Sequence, residues 1–178
     1  DRWIKATKTK SNRYPGLPFE TEGLDSIQTR KKTYQKFVKD FLRCAAAIDD
    51  NIGKMLDYLK ENDLEENTVV IYTADQGYFL GEHGMMDKRM FLEESLRMPF
   101  VIKYSKEIPA NKRIDDIILN IDFPSLLLDY ADISQPDSFQ GKSFRSNLML
   151  ETPSDWLKNM YYRSVSYTHL TLPTIMSL

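Results

Sequence analysis

The stretch from Thr68 to Pro99, TVVIYTADQGYFLGEHGMMDKRMFLEESLRMP, decides the fold. It opens on Val69, Val70, Ile71 and Tyr72, an unbroken β-branched and aromatic run. A run without polar alternation predicts a parallel strand buried on both faces. The run breaks at the carboxylate of Asp75, and a glycine-punctuated loop follows, carrying Gln76, His83 and Lys88. In open α/β sheets, ligands bind beyond the carboxyl ends of the strands. Asp75 and Gln76 stand at that end and offer two adjacent oxygen donors, as a hard cation requires. Lys88 adds a positive charge a short loop away, where an anionic substrate can lie.

On the amino-terminal side, Tyr34, Phe37, Val38, Phe41, Ala45, Ile48, Ile52, Met55, Leu56 and Leu59 recur at helical spacing. They predict a long amphipathic helix over 29–62, ended by Asn62. Gly53 within it costs about 1 kcal/mol relative to Ala, which close packing would explain. Cys44 falls on the same helix and reads as a small core residue. Residues 1–27, broken by Pro15, Gly16 and Pro18, read as loop. Helix, short connection and buried strand in that order give an α/β alternation.

On the carboxyl-terminal side, Phe100 to Tyr104 reads as a second strand. Asp122 reads as an N-cap with Pro124 just inside a helix that runs to about Ala131. Asp115 and Asp116 sit in loop context and read as solvated. Residues 133–147 read as loop around Pro136 and Gly141.

The bulk numbers are those of an ordinary globular protein. At 178 residues the chain can bury one sizeable core, and 42% of it is hydrophobic. A net charge of −2 supplies no bulk attraction to nucleic acid or anionic membrane, so neither is expected as a partner. A local metal and lysines can still dominate a site for an anionic substrate. One cysteine makes no intramolecular disulfide. No apolar run approaches membrane-spanning length.

The quoted segment resembles the second half of the catalytic domain of type I, formylglycine-dependent sulfatases. TADQG is similar to the family's strand-end metal motif, and GEHGMMDKRMFLEESLRMP to the following loop, whose lysine contacts sulfate. RCAAAIDDNIGKMLDYL and LNIDFPSLLLDYADI extend the likeness from about Tyr34 to about Arg163. It most resembles the family's bacterial branch, which desulfates polysaccharides and glycosaminoglycans. The resemblance implies a partial alkaline-phosphatase-like α/β/α sandwich with the start of a smaller C-terminal subdomain. Residues 1–132 would be the C-terminal half of the catalytic domain and 133–163 the start of the subdomain. Residues 164–178, abruptly rich in Ser, Thr and Leu, read as a non-native tail that makes His169 meaningless.

The resemblance also assigns roles. Asp75 and Gln76 would hold Ca²⁺ (or Mg²⁺), completed by an Asp pair elsewhere, so that charge developing on the sulfuryl group is neutralised. The plainer alternative is a loop-capping Asp and a surface Gln. Lys88 would face sulfate, with a solvated lysine as the alternative. His83 would orient substrate or give a proton to the leaving alcohol, or else simply bond backbone in its loop. Arg89, and the Glu93, Glu94 and Arg97 of the EES-R-P segment, read as structural, with the glutamates in capping and ion-pair roles.

The family's C/S-x-P-x-R motif, whose Cys or Ser becomes formylglycine, does not occur around Cys44, which Ala45, Ala46 and Ala47 follow. The chain therefore reads as a truncated sulfatase acting on sulfate esters (or sulfamates) of carbohydrates. Its formylglycine is expected in an absent amino-terminal half, and the piece is expected to be inactive alone. Export to the periplasm or outside the cell follows from the resemblance, with the signal outside this sequence. Rival readings are a phosphodiesterase or phosphonate hydrolase of the same superfamily, and a non-catalytic remnant that binds sulfated glycans.

Overall fold

The structure, a computed structural model, describes residues 22–88 and 90–160. Arg89 and the segment from 161 onward, with the tail and His169, lie outside the described residues, as do residues 1–21. The chain forms two compact units that divide between Ile102 and Lys103.

The first unit begins with α1, Ser26–Glu61, 36 residues and about 54 Å long. It starts earlier than the apolar spacing predicts because Asp25 builds a capping box. Its Oδ1 accepts the backbone N–H groups of Ile27 and Gln28, both at 2.8 Å, and Gln28 Oε1 accepts from the Asp25 N–H at 3.1 Å. Two donors left open at a helix start are thereby satisfied. Asn62 ends the helix as expected, its side-chain amide donating to Tyr58 O at 2.8 Å.

Thr29, Thr33 and Phe37 of α1 are buried, while every residue from 41 to 51 is exposed. Cys44 is therefore a surface thiol and not the core residue its place on the helix suggested. The apolar spacing is real, but over 41–51 the stripe stays exposed, with Tyr78 stacked on Phe41 at its start.

Strand β1, Val70–Thr73, pairs with β4, Phe100–Lys103. Thr73 Oγ1 fastens the far end by donating to Pro99 O at 2.9 Å. Val70 and Ile71 are half-buried, whereas Tyr72 and Thr73 are exposed. The expected burial on both faces is not met, because β4 is the one sheet neighbour of β1 among the described residues.

Two short strands follow β1, β2 (Phe79–Leu80) and β3 (Met86–Asp87), joined as an antiparallel hairpin with Phe79 opposite Asp87 and Leu80 opposite Met86. Two residues per strand are too few to print a period-two pattern, so this segment reads as loop in the sequence. The single-turn helix α2, Glu93–Leu96, then precedes β4.

The second unit is organised around α3, Phe123–Tyr130, with Pro124 in its first turn as expected. Leu126, Phe144, Leu148 and Trp156 form its buried apolar centre. Asp122 does not cap α3 through its side chain. It is buried, and its carboxylate accepts the N–H of Leu119 at 2.8 Å and of Lys142 at 3.0 Å, joining two loops. The 133–147 stretch holds no helix until α4, Arg145–Leu148. Asp116 is not solvated: its Oδ2 accepts from Asn147 Nδ2 at 2.8 Å and from Thr152 Oγ1 at 2.5 Å. Trp156 donates its indole N–H to Ile117 O at 3.0 Å.

Arg145 ties the unit together. It donates to Glu107 and Asp129, and its guanidinium lies 4.6 Å from the centre of the Tyr130 ring. Burial, and then the Glu107 charge, push the Tyr130 hydroxyl up to about 12. The two carboxylates hold Arg145 well above its ordinary range, hydrogen bonding to Glu107 being the largest cause.

Candidate functional site

The candidate residues occupy the turn after β1 and the hairpin beyond it. Asp75 is exposed at the bend where β1 ends, and Gln76 beside it is half-buried. The Gln76 amide carries a buried nitrogen with no hydrogen-bond partner. The two ends of a glutamine amide are interchangeable in such an assignment. Turned over, the same buried position presents an oxygen acceptor on the residue that follows Asp75. A carboxylate and an amide oxygen are the donor types a hard cation takes, so the pair fits part of a Ca²⁺ or Mg²⁺ shell. Such shells need about six to eight oxygens for Ca²⁺. Among the described residues no cluster of three His, Cys, Asp or Glu completes one.

Gly77 sets the turn. Its N–H donates to Ser95 O at 2.9 Å. A Cβ placed on it would lie 2.2 Å from Glu94 O and 2.6 Å from Arg97 O. Its φ lies outside the left-handed region, so what glycine supplies here is space for α2 to approach. Tyr78 next stacks against Phe37 and Phe41 of α1, with ring centres 6.5 and 5.9 Å apart. Phe79 is almost fully buried.

His83 lies in the hairpin turn with a positive φ of 55° between Gly81 at 128° and Gly84 at 68°. Its Nε2 stands 3.0 Å from Glu94 Oε1, and its ring meets Phe79 edge-on at 6.2 Å. The Glu94 carboxyl is held below its usual range, first by its own backbone N–H and then by His83. An ionised carboxylate only accepts, so Nε2 carries the proton and Nδ1 is left for other partners. Glu94 is thus joined to the histidine loop, a contact that eleven residues of separation conceal in the sequence. Glu93 pairs instead with Arg97 at 3.5 Å.

Lys88 follows β3 directly and is half-buried. Among the described residues no carboxylate pairs with it. The structure thus ties Gly77 and His83 to α2, with Asp75 and Gln76 directly before Gly77 and Lys88 at the exit of the same hairpin. Among the described residues, no helix is long and apolar enough to cross a membrane.

Comparison with known proteins bears on the family and the fold. The model of the family N-sulphoglucosamine sulphohydrolase, C-terminal, matches residues 81–172, more than half of the chain. An N-acetylglucosamine-6-O-sulfatase of Bacteroides thetaiotaomicron is 43% identical over 169 residues, covering 94% of this chain and 29% of that protein. A solved protein in complex with its substrate D-glucosamine-2-N,6-O-disulfate superposes with a TM-score of 0.78 at 39% identity, over 86% of this chain and 31% of that one. A phosphonate monoester hydrolase from Silicibacter pomeroyi superposes with a TM-score of 0.66 at 25% identity, over 88% of this chain and 30% of that one. The chain therefore spans roughly three tenths of the length of the proteins it matches. By sequence pattern, family match and superposition alike, the chain belongs to the sulfatases, in the N-sulphoglucosamine sulphohydrolase C-terminal family, and its α/β fold is part of an alkaline-phosphatase-like domain.

Proposed function

We propose that this chain is the metal- and sulfate-facing portion of a carbohydrate sulfatase whose substrate is a sulfated amino sugar. The observation that carries the reading is the strand-end turn. An exposed carboxylate (Asp75) and a half-buried amide (Gln76) stand beside a hairpin whose exit holds a half-buried lysine. In this reading Asp75 and Gln76 donate oxygens to Ca²⁺ (or Mg²⁺), which supplies charge neutralisation at the sulfuryl group when bound. Lys88 presents its ammonium to a sulfate oxygen, where negative charge grows as the ester bond breaks. His83, with Nε2 committed to Glu94, offers Nδ1 to the sugar or to the departing alcohol. The formylglycine nucleophile belongs to sequence beyond these 178 residues, and the chain alone turns over no sulfate ester.

The domain assignment follows the same reading: residues 1–132 in the catalytic domain and 133–163 opening the smaller subdomain, with the family match running on to residue 172. A sulfated amino sugar is the preferred substrate class because the 43%-identical relative and the superposed complex both carry glucosamine sulfates in their names. Export to the periplasm or beyond rests on resemblance to this branch of the family. A phosphonate monoester hydrolase activity is the second reading, supported by the superposition at TM-score 0.66.

A chimera tests the proposal. Residues 22–160 replace their counterpart in the Bacteroides thetaiotaomicron sulfatase, and hydrolysis of N-acetylglucosamine-6-sulfate is followed. The chimera should be active, and Lys88→Ala should lower kcat by roughly 10²–10³-fold, the loss typical of one preorganised donor. Full activity in the Lys88→Ala chimera, or turnover of a phosphonate monoester in place of the sulfate ester, would overturn it.

A further inference from the structure

We infer that α2 is a positioning element for the candidate site, and that Glu94 is its joint, holding His83 with its carboxylate and seating the Asp75–Gln76 turn with its backbone. This goes beyond the site's assignment and rests on that reading for its catalytic meaning, though not for its geometry.

Three contacts converge on one helical turn. The Glu94 carboxylate accepts the hydrogen bond of the His83 Nε2–H at 3.0 Å. The Glu94 carbonyl lies against the bare Cα of Gly77, so close that a Cβ there would sit 2.2 Å from it. The next residue, Ser95, is buried and accepts the Gly77 N–H at 2.9 Å. Gly77 directly follows the two proposed oxygen donors, and its φ is not one that needs glycine, so the constraint is the approach of α2 itself.

The consequence for His83 is chemical. A histidine in an exposed turn, 52% exposed here, would ordinarily sample both tautomers and several ring orientations. Glu94 removes that freedom. It fixes the proton on Nε2 and leaves Nδ1 as the ring's acceptor, the orienting role carboxylates play beside histidines that act on a ligand. Because one residue bears both contacts, a displacement of the donor turn is felt at the imidazole, and the reverse. Neither Glu94 nor Gly77 is placed in contact with substrate; both act through residues that are.

The test is nuclear magnetic resonance on the whole 178-residue chain with ¹⁵N-labelled histidine, in alkaline buffer where the ring is neutral. His83 is distinguished from His169 by a His169→Ala control. In the wild type, Nε2 should appear protonated and Nδ1 unprotonated. Glu94→Ala should convert this to a tautomer mixture and move the amide signals of Gln76 and Gly77, which the lost carboxylate does not touch. Glu94→Gln should restore the Nε2–H tautomer, since an amide oxygen accepts the same bond. Gly77→Ala should shift the His83 ring signals across the joint. If that variant does not fold, the Glu94 pair decides alone.

A wild-type His83 protonated on Nδ1, or a tautomer unchanged by Glu94→Ala, would overturn the inference. So would perturbations confined to each mutated residue's own side. Failure of the sulfatase reading is seen separately, in the Lys88→Ala chimera, which the spectra do not depend on.

Discussion

The guanidinium of Arg145 meets the carboxylate of Glu107 in two parallel hydrogen bonds, Nη2 to Oε1 at 2.5 Å and Nε to Oε2 at 2.9 Å, across 38 residues of sequence. The remaining Nη1 donates to Asp129 at 3.0 Å, and Asp129 in turn accepts from Ser143. This fork-to-fork geometry is the strong form of an ion pair, and both partners are about three-quarters buried. Arg145→Ala leaves two carboxylates facing each other without a cation and should cost about 1.5–3 kcal/mol, the range for hydrogen bonds to charged groups. Arg145→Lys keeps the charge but not the fork and should recover less than half of that. Urea unfolding of the three proteins checks the order.

The same pair sets a pH dependence. Hydrogen bonding to Arg145 holds the Glu107 carboxyl below its ordinary value of 4.5. A depressed acid pKa means the unfolded chain binds the proton more readily than the folded one. The stabilisation is therefore complete above the ordinary value and is lost as the pH falls through the depressed one. In Arg145→Ala that acid limb should flatten. Thermal melts between neutral and acid pH measure it, and an equally steep limb in the variant would contradict the assignment.

Asp122 makes a second, independent prediction. Its buried carboxylate satisfies two backbone donors, the N–H groups of Leu119 and Lys142. Asp122→Ala removes the acceptor from both, at about 1–3 kcal/mol in all, because Lys142 is exposed and water can take the carboxylate's place at its N–H. Asp122→Asn keeps one acceptor oxygen and should cost about half as much. Equal loss in the two variants would show that the charge, not the acceptors, matters.

How much of this was legible beforehand depends on range. α1, β1, β4 and α3 each carry a local signal: helical spacing, a β-branched run, or a proline in a first turn. The candidate residues Asp75, Gln76, His83 and Lys88 stand out as a pattern, because a strand end followed by a glycine loop is contiguous in sequence. What escaped is what distance makes. The hairpin Phe79–Asp87 is too short to show alternation, and the Glu94–His83 bond has no spacing to betray it. Asp116 looks like a solvent-facing loop acid until Asn147 and Thr152 arrive from elsewhere, and Asp122 looks like an N-cap although its carboxylate accepts from the N–H groups of Leu119 and Lys142 instead. Cys44 errs the other way: an apolar stripe predicts burial, but the stripe needs a partner to bury it.

Gly141 presents a packing test. A Cβ on it would stand 1.9 Å from Ile121 O, and its own carbonyl accepts from Ser125 Oγ at 3.0 Å and Gln135 Nε2 at 2.9 Å. No flexible side chain is available to yield, because the obstacle is backbone. Gly141→Ala should destabilise the second unit by about 1–3 kcal/mol or somewhat more, as overpacking does. By contrast, a Cβ on Gly53 of α1 meets nothing within 4 Å. Gly53→Ala should therefore stabilise the helix, by about 1 kcal/mol at most. Opposite signs for the two glycines are the expected result, and a loss at Gly53 would mean that something packs there.

The exposed part of α1 makes the last prediction. Ile48 is 49% exposed and Met55 45%, along a helix whose apolar spacing is that of a buried element. Apolar surface gathered along one stripe drives association when nothing covers it. The 178-residue chain should therefore bind a hydrophobic dye and associate as its concentration rises. Ile48→Glu and Met55→Glu together should suppress both and leave unfolding within about 0.5 kcal/mol of wild type, as surface substitutions do. Cys44 reports on the same region through its thiol, which should react with an aromatic disulfide reagent at the rate of the unfolded chain, without denaturant. Slow, denaturant-dependent labelling of Cys44, with a monomer that binds no dye, would show that this stripe is covered after all.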